Sequence, residues 1–380
     1  MEIFNSARFL LFYSVLLISF VYGRLTGLAD QVTLLFVGDI TFSGPVRYYV
    51  EHNHQSYNTC FVEVASFIRA ADISVANLET PLVNATVFSH KCQKQVVLDS
   101  SPQSASSLRF AGFNAVSVAN NHFNDFGGVG ANFTVNVLKS AGIDYFGATY
   151  GPFNSSQVPL IIEKKALKIG FLGYCHHMTP KRIQNCSEMR MKFNAGPAIY
   201  SKDIAERDVN RLKSKVDIVV VYIHWGRELF LKPVPYQLQV TDHLLSLGVH
   251  LIIGSHSHVI QPHSIHGNRL VKFGLGNFFF PPARVLGGND PRIYGRLGSK
   301  PDEDLIAIYE KLALGDGEFF KTSQLFRVKV SRKGVEFADY LPVKLAFDSA
   351  KKQVYIKPEN DLLWIEVCSD EDPQCQRSNT

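Results

Sequence analysis

A chain of 380 residues, 46% of them hydrophobic, is long enough for one large or two moderate domains and apolar enough to bury a true core, which excludes a disordered or fibrous protein. Its formal charge of +5 excludes the strongly basic balance of a nucleic-acid binder and is compatible with an anionic substrate. No GxxxxGK[ST] motif occurs, which excludes ATP-driven ligation through a loop of that type.

Residues 9–23 (FLLFYSVLLISFVYG), preceded by Arg8 and closed by small Gly23, have the length and flanks of a secretory signal cleaved near Gly23. An uncleaved anchor is the competing reading, but a spanning helix usually needs about 20 apolar residues. Removing Glu2 and Arg8 together with this segment leaves the mature charge at +5. The chain is thus expected outside the cell, with no transmembrane span once the signal is cleaved. In that setting the even count of six cysteines reads as disulfides, and sequence neighbours pair Cys60 with Cys92, Cys175 with Cys186 and Cys368 with Cys375. Sequons open at Asn84, Asn132, Asn154 and Asn185, each an exposed loop or helix start if it carries a glycan.

Residues 31–37 (QVTLLFV) form a strand closed by Gly38 and Asp39, and helices are expected over 45–50 and 61–70. The short strand 73–76 runs into Asn77, Leu78 and Glu79. After a helix over 101–110, with Pro102 where a missing N–H costs little, the strand 115–119 delivers Asn120, Asn121, His122 and Asp125. A helix over 131–141 stops at Gly142, and 143–146 is a further strand. Residues 158–164 and 167–174 read as a hairpin or adjacent strands, and 175–200 as a stapled surface loop. A helix capped by Ser201 leads to the buried strand 217–223 (DIVVVYI), which ends in His224, Trp225, Gly226, Arg227 and Glu228. A helix over 235–247 precedes the strand 251–253, whose following loop (GSHSH) sets His256 and His258 two residues apart. A hairpin over 259–273 turns at Gly267-Asn268, and Asn277 follows near the same edge. Residues 281–301 carry Arg284, Arg292, Arg296 and Lys300 against Asp290, and form either a basic lid over a substrate anion or a solvated loop. An antiparallel pair, 323–330 and 335–342, closes the domain, and the segment from 346 reads as an accessory tail.

Five apolar runs therefore end in polar groups: Asp39; Asn77 and Glu79; Asn121 and His122; His224; His256 and His258. If the strands share one orientation, these side chains converge on one edge, where open α/β sheets bind ligands. Two carboxylates, an amide and several imidazoles in one place suit a two-metal hydrolase, and His122, one position beyond an amide ligand, would act as general acid. Each residue also has a plainer reading. Asp39 could cap a helix, Glu79 could be ordinary surface, Asn121 could supply a turn and His224 could be a satisfied core histidine. Repetition of the pattern at successive strand ends favours a site.

The ordered motifs GDI (38–40), NLETPL (77–82), ANNHFNDFG (119–127), YIHWGRE (222–228), GSHSHVIQP (254–262) and FGLGNFFF (273–280) resemble the bacterial capsule-synthesis CapA, or poly-γ-glutamate biosynthesis, family across residues 32–280. That family is similar to the calcineurin-like metallophosphoesterases, so the resemblance implies an α/β fold, a four-layer α/β/β/α sandwich, spanning 32–345. It also implies a divalent transition-metal centre of two ions, manganese, iron or zinc, held by Asp39, Glu79, Asn121, His224, His256 and His258. His122 is then the acid, Asp125 and Glu228 orient it or contact substrate, and Asn77, Asn277, Arg284 and Arg292 lie on the substrate side. The implied function is hydrolysis of a phosphoester or γ-glutamyl amide tied to poly-γ-glutamate synthesis, export or processing, with a synthase as partner. The alternative is a non-catalytic accessory protein that binds the polyanion. Two positions depart from the phosphoesterase pattern: Thr41 stands where a histidine normally follows the first aspartate, and Glu79 stands where an aspartate usually bridges. One metal position therefore has fewer ligands.

Overall fold

In the computed structural model of the chain, residues 31–92, 96–151, 155–176, 195–280, 322–348, 350–351, 353–359, 362–369 and 372–375 are described. The signal-like run, Asn154, Asn185, Cys186 and the basic loop with Arg284 and Arg292 lie outside the described residues.

Strands and helices alternate through β1 (Val32–Ile40), α1 (Pro45–His52), α2 (Ala65–Arg69), β2 (Ile73–Leu78), α3 (Ala85–Phe88), α4 (Ala105–Ala111), β3 (Ala115–Ser117), α5 (Gly127–Ser140) and β4 (Asp144–Phe146). There follow β5 (Ala148–Tyr150), β6 (Leu160–Lys164), β7 (Leu167–His176), β8 (Ala195–Pro197), α6 (Lys202–Lys213), β9 (Ile218–Trp225), α7 (Pro235–Ser246), β10 (Leu251–Ser255), β11 (Ile260–His266), β12 (Arg269–Leu275) and β13 (Asn277–Phe279). The chain closes with β14 (Thr322–Ser331), β15 (Gly334–Asp348), β16 (Gln353–Pro358) and β17 (Ile365–Glu366). One sheet has the order β16-β15-β14-β1-β2-β3-β4, with β13 on β1 and β17 on β15; the second has the order β11-β12-β10-β9-β7-β6. Strands β1 to β4 are mutually parallel, and so are β7, β9, β10 and β12. Parallel strands are covered on both faces, which is why they are nearly continuous apolar runs.

Because side chains alternate across a strand, each sheet sorts its residues into two layers. Leu34, Phe36, Ile73 and Val75 of the first sheet meet Ile169, Phe171, Val220 and Ile253 of the second in a shared core. On the other side of the first sheet, Leu35, Val37 and Val116 pack against Ile68, Leu108 and Leu138 of the helices. On the far side of the second, Leu172, Val219 and Ile252 pack against Val209, Leu212 and Leu244. The expected four-layer α/β/β/α sandwich is the fold.

Three expectations are corrected. The helix expected over 61–70 is split into a 3-10 turn, Tyr57–Phe61, and α2, because the Ser56 hydroxyl accepts from the Asn58 amide and starts a turn earlier. The segment from 346 is not an accessory tail. β15 continues to Asp348, β16 pairs with it from Val343↔Pro358 to Asp348↔Gln353, and Val354 and Ile356 cover the same core as Val343 and Leu345. The Cys60–Cys92 bridge is not made, although Cys175 is disulfide-bonded and Cys368–Cys375 is bridged. The Cys60 thiol is completely buried in the helical-side core, which pushes its pKa up, while Cys92 Sγ donates to the Asn124 carbonyl at 3.3 Å.

The Cys368–Cys375 hairpin ties the sheets together at one end of the shared core. Asp372 Oδ2 lies 2.5 Å from His263 Nε2 on β11 and accepts from the Cys368 amide at 2.6 Å. Its Oδ1 accepts from the Tyr340 hydroxyl on β15 at 3.1 Å and from the Gln374 amide at 2.9 Å. Lys272, wholly buried on β12, donates to the Gln261 carbonyl at 2.8 Å and to Gln374 Oε1. Burial pulls Lys272 down to about 7 against the opposing effect of Asp372, and burial followed by the Lys272 charge pulls His263 down to about 4. For Asp372, burial pushes upward, but the Cys368 and Gln374 amides and His263 outweigh it and hold the carboxyl low.

Candidate metal centre

The carboxyl ends of the parallel strands in both sheets meet at one place. Asp39 closes β1 opposite Asn277 of β13, and its amide donates to the Gly276 carbonyl at 3.0 Å. That approach needs a glycine at 38, since a Cβ there would sit 1.8 Å from the Gly276 oxygen. Asn77, in register with Asp39, donates to Asp39 Oδ1 at 2.8 Å. Asn120 holds the next strand end in place: Nδ2 donates to Asn77 Oδ1 at 3.0 Å and to the Leu78 carbonyl at 2.8 Å, and Oδ1 accepts from the His122 amide at 3.1 Å. From the second sheet, β9 brings His224 opposite Ser255 of β10, whose hydroxyl lies 3.0 Å from His224 Nδ1.

His224 Nε2 faces inward, 2.8 Å from Asn121 Oδ1, 3.0 Å from His256 Nδ1 and 3.4 Å from Glu79 Oε1. Ligand atoms of Asp39, Glu79 and His224 lie within 4.8 Å of one another, as do those of Glu79, His256 and His258, so Glu79 belongs to both sets. His258 Nδ1 lies 2.8 Å from Asn277 Oδ1 and 3.7 Å from Asp39 Oδ2, and the His256 amide donates to Asp39 Oδ2 at 3.2 Å. His256 and His258 both hold positive φ, at 85° and 56°. Such a backbone costs about 1–3 kcal/mol per residue and persists where the surroundings enforce it, commonly at ligand sites.

This donor set fits divalent metal. Ligands about 2.0–2.2 Å from one ion stand roughly 3 Å apart from each other, which matches the spacing around His224 Nε2. Asp39, Glu79 and His256 are completely buried, and two carboxylates buried side by side are costly unless a cation joins them. Burial first, and then the Asp39 and Glu79 charges, push the Tyr222 phenol well above its ordinary pKa, so it stays neutral and donates to the Val37 carbonyl at 2.7 Å.

Beside this cluster, His122 Nδ1 lies 2.7 Å from Asp125 Oδ2, which also accepts from the Leu98 amide at 2.7 Å. The carboxylate holds the proton on Nδ1 and turns Nε2 toward Glu79, 4.0 Å from its Oε1. Glu228 sits four positions after His224, in a loop whose Leu229 amide donates to the Ser257 carbonyl at 2.8 Å. Thr41 is buried, and its hydroxyl donates to Ser43 Oγ at 2.9 Å. Asn77 and Asn277 are buried, bonded to Asp39 and next to His258 respectively. Of the sequon residues, half-buried Asn84 caps α3 through Oδ1, whereas Asn132 is exposed on α5 with Thr134 buried below it.

Sequence reasoning passed over Asn120, Ser255 and Tyr222 as site residues. Asn120 directly precedes the assigned Asn121 and His122, and an amide at the end of an apolar strand was the available signal. Ser255 had none, because its role depends on facing His224 across two strands.

A family model described as Bacterial capsule synthesis protein PGA_cap matches residues 33–282. The chain belongs to this family. Among curated relatives, the Capsule biosynthesis protein CapA of Bacillus anthracis is 27% identical over 254 residues, which are 66% of this chain and 60% of that protein. The PGA biosynthesis protein CapA of Bacillus subtilis (strain 168) is 27% identical over 251 residues, 66% of this chain and 64% of that protein. A Mycobacterium tuberculosis protein described as a probable polyglutamine synthesis accessory protein is 25% identical over 219 residues, 55% of each chain. The chain thus spans less than two thirds of the length of these family members. All the clustered side chains, from Asp39 to Asn277, fall within the matched residues.

Proposed function

We propose that the chain is a metal-dependent hydrolase, acting outside the cell, that serves poly-γ-glutamate capsule synthesis by cleaving a phosphoester or γ-glutamyl amide. One observation carries this reading: Asp39, Glu79, His224, His256 and His258 present their ligand atoms in two overlapping groups that share Glu79. When bound there, divalent ions would polarise the substrate and favour ionisation of water near neutral pH. Asp39, Glu79, Asn121, His224, His256 and His258 are the residues that would hold them. His122, with its tautomer held by Asp125, would deliver a proton from Nε2 to the leaving group. The names borne by the Bacillus relatives support the link to capsule synthesis, and the name of the Mycobacterium tuberculosis relative, a probable polyglutamine synthesis accessory protein, supports a synthase as partner.

The experiment is elemental analysis of the purified chain and of His256→Ala, followed by assays on phosphoesters and γ-glutamyl peptides. The expected result is bound manganese, iron or zinc that is lost in the variant, with hydrolysis abolished by chelation and restored by metal. Absence of metal after incubation with manganese or zinc would overturn the proposal. A second reading, an accessory protein that binds the polyanion, draws support from Thr41, whose hydroxyl is engaged with Ser43 where a further ligand would be needed. Metal retention with no hydrolysis of either substrate class, together with poly-γ-glutamate binding, would favour it.

A further inference from the structure

The loop after β9 holds three consecutive large apolar side chains in solvent: Leu229, Phe230 and Leu231 are 44%, 40% and 52% exposed. The loop is pinned in this form. The Leu229 amide donates to the Ser257 carbonyl at 2.8 Å, Gln261 Nε2 donates to the Phe230 carbonyl at 2.8 Å, and Leu229 takes a φ of 65°. Left-handed backbone at a branched apolar residue is unfavourable, so the conformation that keeps this tip exposed is imposed by its surroundings. A run of exposed apolar residues is a liability in water unless it meets a partner.

Cations bracket the tip. The Arg227 guanidinium lies 4.1 Å from the centroid of the Phe230 ring, Lys232 follows Leu231 and is exposed, and Glu228 is the only acid from 226 to 238. We propose that this loop is a membrane-docking tip that seats Leu229, Phe230 and Leu231 among the acyl chains of an anionic bilayer while Arg227 and Lys232 engage lipid phosphates. A bilayer offers an apolar layer directly beneath a layer of anions, which matches apolar residues flanked by long cationic ones. A second copy of the chain matches less well, because a two-fold contact through this tip sets two loops of like charge side by side, each with Arg227 and Lys232 against the single acid Glu228.

The test is co-sedimentation of the full chain with vesicles of phosphatidylcholine alone and with about one-third phosphatidylserine. The segment 9–23 is common to every variant, so differences report the loop. Phe230→Asp with Leu231→Asp is expected to weaken binding to the anionic vesicles at least about tenfold, and Arg227→Gln with Lys232→Gln to remove most of the preference for phosphatidylserine. Phe230→Trp should add a fluorescence component that brominated lipids quench. Vesicle binding unchanged by both double variants, or an added Phe230→Trp emission that brominated lipids leave unquenched, would overturn the proposal. So would concentration-dependent dimerisation abolished by the Asp pair without any vesicle binding. The surface variants should keep the thermal midpoint of the parent, and metal content is independent of this outcome.

Discussion

Replacing Ser255 with alanine tests how the fold prepares His224 for metal. Two groups approach His224 Nδ1: the Ser255 hydroxyl at 3.0 Å and Asn77 Nδ2 at 3.3 Å. Nδ2 is a donor already used toward Asp39, so of these two the serine oxygen is the one that can accept a proton from Nδ1. Metal at Nε2 would need the lone pair there, which puts the hydrogen on Nδ1, and the Ser255 oxygen stands ready to accept it. In Ser255→Ala, Asn77 becomes the neighbour that decides, Nδ1 turns acceptor, and the proton moves to Nε2, where Asn121 Oδ1 at 2.8 Å accepts it. The apo protein should therefore lose little stability, about 1 kcal/mol for one net hydrogen bond. Metal binding must first reverse the tautomer, and loss of such an outer partner weakens affinity about 10–100-fold, or roughly 1.4–2.7 kcal/mol. Competition with a chelator of known affinity measures the change, and nitrogen-15 shifts of the ring report the tautomer directly. An affinity within about twofold of the parent, with the tautomer unchanged, would refute the reasoning.

The C-terminal hairpin yields two further expectations. Burial holds Lys272 near 7 in the folded chain against 10.5 when free, so the unfolded chain binds more protons between these values and stability rises with pH across that window. Lys272→Met should remove up to about 1.4 kcal/mol per pH unit of that slope in urea melts from about pH 7 to 9, and an unaltered slope would count against a buried, neutralising lysine. Replacing Cys368 and Cys375 together with serine opens a bridge of sequence separation 7, whose loop entropy corresponds to about 2.5 kcal/mol. Chemical denaturation should register that loss with metal content intact, since the hairpin holds His263 rather than the clustered ligands; a loss below about 0.5 kcal/mol would mean that the hairpin is not tied to the cooperative unit.

Much of this architecture is written locally in the chain. The runs at 217–223 and 251–253 are apolar at nearly every position because their strands are covered on both faces, and that pattern needs no knowledge of neighbours. Glycines at 38 and 254 mark where backbones must approach, a Cβ at the latter standing 1.9 Å from the Phe273 carbonyl oxygen. Motif order was equally legible, and with it the family and the residues the structure gathers at the strand ends. What depended on tertiary structure was partnership between distant segments. Ser255 acquires its role only from the register that sets it beside His224, and Asn120 only from the packing of β3 against β2. Cys60 and Cys92 are near in sequence, yet one is sealed in the core and the other faces Asn124. Lys272 reads as an ordinary surface cation until Asp372 and Gln374 arrive from the far end of the chain and close over it. Periodicity and glycine report what a residue does to its own backbone; hydrogen-bond partners and burial arise from contacts between segments, which no local pattern encodes.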